Sequence, residues 1–80
     1  MPRASCLYEG VAVGYVEADG LREEPATYDF LPLRSMAHLR LVEALQQQGS
    51  ALVEIAWGSG PVRRRATRLS ADSITLAPVT

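Results

Sequence analysis

SMAHLRLVEALQQQGSALVEIAWG, residues 35–58, switches its apolar period once, and that switch decides the fold class. Over residues 36–48 the apolar side chains recur at helical spacing. Ser35 offers an N-cap hydroxyl, and Gly49 stands where a C′ glycine belongs. Met36, Leu39, Val42 and Leu45 form the apolar stripe, broadened by Leu41 and Ala44, while Arg40, Glu43, Gln46 and Gln47 take the opposite face. Beyond Gly49 the period falls to two: Ala51, Val53, Ile55 and Trp57 point one way and Glu54 the other. A one-sided helix followed by an alternating strand implies a helix lying on a sheet.

Downstream, GSGP at 58–61 is a turn rich in special backbone residues, PVRRRATRL at 61–69 is a strand, and SADS at 70–73 turns into SITLAPV. Upstream, ATYDFLPL at 26–33 is a strand that places Tyr28 and Phe30 together, and DGLREEP at 19–25 is a loop. Residues 6–18 read as one strand, with Leu7, Val11, Val13 and Tyr15 on one parity and Gly10, Ala12 and Gly14 on the other. The small parity would let another backbone or a helix approach closely. The expected fold is therefore α+β in the order ββαβββ, a single domain over 1–80. One helix packs on a five-stranded, mostly antiparallel sheet, either β-grasp-like or curved into a small barrel. The helix-then-meander order of 35–79 resembles the Sm-like small barrels in outline. No RNA-contact motif of that family is present, and residues 1–34 fall outside the likeness.

Composition removes several function classes. All eight basic residues are arginine, so a phosphate-loop lysine and Schiff-base chemistry are both absent. There is no asparagine, hence no N-glycosylation acceptor. Cys6, the single cysteine, cannot form an internal disulfide, which favours the cytoplasm. No apolar run approaches the ~20 residues of a membrane helix, and the first ten residues lack the apolar core of a signal peptide. An arginine-only basic complement suggests a GC-rich, bacterial genome. At 80 residues with no disulfide, self-association is a natural way to bury more surface.

Charge is unevenly placed. Residues 1–60 carry four arginines and eight acids (−4), and residues 61–80 carry four arginines and one acid (+3), which sum to −1. Arg63, Arg64, Arg65 and Arg68 crowd one strand, with alternation placing Arg63 and Arg65 on one side and Arg64 and Arg68 on the other. Charge on both faces points to a partly exposed edge strand guarded by its arginines. Glu17, Asp19, Glu23, Glu24 and Asp29 surround the first hairpin and are the expected partners of those arginines. The competing roles for the basic strand are contact with nucleic-acid phosphates and docking on an acidic protein surface.

Catalytic signals are poor. Cys6 and His38 would be the candidate nucleophile pair for a site at a subunit interface. ADGLREEP lacks calcium-loop spacing, and GSG at 58–60 joins two strands instead of opening a helix, so neither a metal nor a phosphate cofactor is expected. The leading expectation is a small, non-catalytic, self-associating interaction or assembly protein, of a size and composition suited to a phage or mobile-element accessory. The alternatives are a nucleic-acid-binding module using residues 62–69 and an enzyme or ligand-binding protein with a shared site.

Overall fold

The computed structural model describes residues 2–58 and 60–79. Its elements are β1 (Arg3–Tyr8), β2 (Val11–Glu17), β3 (Ala26–Pro32), α1 (Met36–Gln48), β4 (Ala51–Trp57), β5 (Gly60–Leu69) and β6 (Ser73–Pro78). The six strands close into a barrel in the order β1-β2-β3-β6-β5-β4, with every pairing antiparallel. The α+β class holds, and of the two forms expected the sheet takes the barrel and not the open β-grasp-like one, because β1 and β4 pair, while the strand count of five does not hold. The expected strand at 6–18 is two strands joined by Glu9-Gly10, which lie at φ 53° and 80°. Positive φ at both central residues is the geometry of a two-residue hairpin turn whose twist suits the flanking strands. Half of the strands thus precede the helix, a region that the Sm-like outline does not cover.

Closure follows from β1 pairing with β4, where Ser5, Cys6 and Leu7 face Ala56, Ile55 and Glu54. Closure also removes edges. The expected edge strand at 61–69 is an interior strand even without closure, held by β4 on one side and β6 on the other. Its arginines are tolerated because one barrel face is solvent, not because the strand lies at a border.

The barrel interior takes the alternating residues that the sequence singles out: Tyr28 and Phe30 on β3, Ala51, Val53 and Ile55 on β4, and Ile74 and Leu76 on β6 are all buried. The turn at 70–73 is closed by the Ser70 N–H donating to the Ser73 carbonyl at 2.9 Å. Trp57 and Gly60 pair across the 58–61 turn, of which Ser59 lies outside the described residues.

Helix α1 begins with Ser35 Oγ accepting from the His38 N–H at 3.3 Å, and ends at Gly49, φ 82°, whose N–H donates to the Leu45 carbonyl. It packs against β2, β5, β4 and β1. Since β2 and β5 stand three strands apart around the six-stranded ring, a helix touching both crosses a barrel mouth instead of lying on one wall. The buried helix residues are Ala37, Leu41 and Ala44, whereas Met36 and Leu39 of the expected stripe are 67% and 54% exposed.

Candidate functional site

The outer face of β5 is the main charged surface, and a bulge sets its composition. Val62, Arg64 and Ala66 share the inward parity, and Ala66 is fully buried. The register with β6 then shifts between Ala66 and Arg68, so that Leu69 turns inward opposite Ile74 and Arg68 turns outward opposite Thr75. Strict alternation paired Arg68 with Arg64. The bulge instead groups Arg63, Arg65 and Arg68 on the solvent side and leaves Arg64 alone on the other.

The three outward arginines are not neutralised by the acidic hairpin. Among the described residues the ion pairs within 4.0 Å are Arg3–Glu17 at 3.2 Å and Arg22–Glu24 at 3.7 Å, and neither involves β5. The expected pairing of the two charged segments within one chain does not form among the described residues. β2 and β3 lie three and two strands away from β5, and the intervening β6 presents Ser73, Thr75 and Ala77 outward. The neighbours of the arginines are largely neutral: Arg65 stands between Leu52 and Ala77 in register, and its Nη1 donates to Ser50 Oγ at 3.4 Å. Glu54 is the register partner of Arg63, without an ion pair between them.

Arg64 has a different task. Its Nη1 donates to the Arg63 carbonyl at 2.8 Å and its Nη2 to the Arg22 carbonyl at 3.5 Å, while its Nε is buried without a partner. Arg22 also donates its backbone N–H to the Tyr28 hydroxyl at 2.8 Å. These contacts tie the 18–25 loop to the mouth opposite α1, so Arg64 is a tether and not part of the outward trio.

Of the acids, Glu23 and Glu24 are exposed on that loop, as is Asp19. Glu17 and Asp29 are direct register partners across β2 and β3, where like charges oppose one another. Asp72, which the sequence reading passed over, joins them: its carbonyl accepts from the Phe30 N–H at 2.9 Å, and the three acids line one shallow depression with Leu31. The signal for Asp72 was only its place in a turn beside β6, and the β3–β6 register that brings it near Asp29 is non-local.

Cys6 and His38 sit in separate local settings. Cys6 is wholly buried on β1, and desolvation pushes its thiol from 9.0 up to about 12. The His38 ring stacks on Phe30 with centroids 6.5 Å apart. A thiol held neutral is a poor nucleophile and metal ligand. Native protein at neutral pH should therefore resist a thiol-specific dye that labels it once unfolded; labelling of the folded chain within minutes would contradict the burial. Between pH 9 and 12 the unfolded chain releases the thiol proton while the folded chain keeps it. Stability contributed by the neutral thiol is thus complete below pH 9 and is lost as pH rises, with a limiting slope of about 1.4 kcal/mol per pH unit. Cys6→Ala should lack that component of the slope, measured by denaturant unfolding across this range.

The fold and site define a small closed antiparallel barrel with a helix across one mouth and oppositely charged patches on different walls. No protein-family model matches the chain, and no curated protein or solved structure matches it either.

Proposed function

We propose that this chain is a small, non-catalytic interaction protein that docks a carboxylate-bearing protein surface through Arg63, Arg65 and Arg68. The supporting observation is that three like charges share one wall of a barrel that has no edge to guard, with no carboxylate within 4.0 Å of them among the described residues. Unpaired like charges side by side are unfavourable in the free protein, and an anionic partner relieves that repulsion. The guanidinium fork takes a carboxylate bidentately. A protein partner is preferred to nucleic acid because the chain as a whole is at −1, with a pI near 5.7, which lowers backbone attraction elsewhere on the surface.

Two soluble probes test this reading: poly-glutamate and a single-stranded oligonucleotide of equal charge, titrated against wild type and Arg63→Glu/Arg65→Glu/Arg68→Glu. Exposed ionic contacts contribute about 0.5 kcal/mol each, so the triple variant should lose about tenfold or more in poly-glutamate affinity at low salt. Equal binding by wild type and variant would overturn the role of the wall. Oligonucleotide binding tenfold tighter than poly-glutamate, with a steep salt dependence, would replace the protein partner with nucleic acid.

A further inference from the structure

Resting on that reading, we propose that the surface which fits the arginine wall is the acidic wall of a second copy of this chain, formed by Glu17, Asp29 and Asp72. The two patches match in charge. Arg63, Arg65 and Arg68 with Glu54 in register sum to +2, and the three acids with Arg3 ion-paired to Glu17 sum to −2. Each patch is individually unfavourable: the arginines have no carboxylate within 4.0 Å, and Glu17 opposes Asp29 directly while Asp29 and Asp72 have no cation within 4.0 Å, among the described residues. Each also carries an exposed leucine beside the charges, Leu52 as the register partner of Arg65 and Leu31 in the acidic depression. A leucine set among charges supplies the apolar centre that a polar rim surrounds in a protein interface.

Glu17 and Asp29 sit three and two strands from β5 around the ring, and Asp72, in the β5–β6 turn, makes no ion pair with an arginine among the described residues, so the two patches leave each other unpaired within one chain. They can meet between chains, and because the two surfaces differ, the contact is head-to-tail. Such contacts give rings when the rotation closes and filaments when it does not. The near-neutral total charge of −1 leaves no long-range repulsion between copies.

Light scattering and sedimentation in about 0.01 M and about 1 M salt, where screening lengths are about 30 Å and 3 Å, read this assembly directly. At low salt the mass should rise with concentration above 8.7 kDa, and at high salt it should return to the monomer. Asp29→Arg/Asp72→Arg and Arg63→Glu/Arg65→Glu should each be monomeric alone, with association at least about tenfold weaker than wild type. Mixed in equal amounts they should associate again, because each still presents one native wall to the other. Circular dichroism and melting of each variant confirm folding, and Leu31→Ser and Leu52→Ser, which leave the charges in place, should weaken assembly in the same direction. A wild-type chain that stays monomeric at low salt overturns the inference, as does assembly untouched by the aspartate variant or a mixture that fails to recover. If poly-glutamate still binds the arginines in a chain that does not self-associate, only the identity of the partner has failed. Loss of poly-glutamate binding as well removes the parent reading.

Discussion

Gly14→Ala should lower the melting temperature by about 8–16 °C, one of the largest effects of any single methyl group in this chain. A Cβ at Gly14 would fall on the Phe30 ring, overlapping Cζ and lying 2.7 Å from Cε1, and 2.5 Å from the Leu31 carbonyl oxygen. Neither neighbour can withdraw. Phe30 is only 1% exposed, and the carbonyl belongs to β3, which is held to β2 in register at Tyr15 and Leu31. Two effects compete. Replacing glycine restricts the unfolded chain, which stabilises by about 0.4–1 kcal/mol. Overpacking a closed core costs about 1–3 kcal/mol, occasionally more, and here a backbone atom must move as well as a ring. The clash wins, with a net cost of about 2 kcal/mol, and a domain of this size shifts by about 4–8 °C per kcal/mol. Gly14→Ala/Phe30→Leu separates the contributions: it removes the ring overlap and keeps the carbonyl contact, so it should recover less than half of the loss measured against Phe30→Leu alone. A melting temperature within 2–3 °C of wild type for the single variant would mean that β2 and β3 are not in tight contact at this point.

That close approach was readable beforehand. The small residues at 10, 12 and 14 called for another backbone or a helix to come near, and at Gly14 the Leu31 backbone carbonyl does so, joined by the Phe30 ring, which the sequence did not signal. The alternations at 51–57 and 73–76 and both helix caps were equally legible, because each rests on residues adjacent in the chain. What failed was either unsignalled or non-local. Glu9-Gly10 is not among the pairs that usually announce a two-residue turn, so a hairpin was read straight through as a strand. The bulge after Ala66 leaves no mark in a run of arginines, yet it reverses the parity of Arg68 and so determines which guanidinium groups act together. The β1–β4 pairing that closes the ring joins residues about fifty positions apart. The candidate site was therefore visible as a charged segment. Its membership, three outward arginines without Arg64 and three acids including Asp72, depended on a bulge and on long-range register.

Leu41→Ala should be about as damaging as the Gly14 substitution, costing about 3 kcal/mol, while Met36→Ala and Leu39→Ala should each stay within about 0.5 kcal/mol of wild type. The contrast follows from helix geometry. At about 100° per residue, three-residue steps regress by about 60° each, so the series Met36, Leu39, Val42, Leu45 winds through half a turn along α1. It starts in solvent at Met36 and ends partly buried at Leu45. Ala37, Leu41 and Ala44 alternate a four- and a three-residue step, whose drifts nearly cancel, and these residues stay against the barrel mouth. Two of those three are alanine, so Leu41 is the one large side chain among the fully buried residues of the helix, and its loss leaves a cavity that the small neighbours cannot fill. A 13-residue helix is marginal by itself, so weakening the dock should melt it with the barrel in one transition. Chemical denaturation followed by far-ultraviolet circular dichroism distinguishes the alternatives. If Met36→Ala or Leu39→Ala costs more than Leu41→Ala, the helix presents its sequence stripe to the barrel after all, and the mouth is closed by a different face.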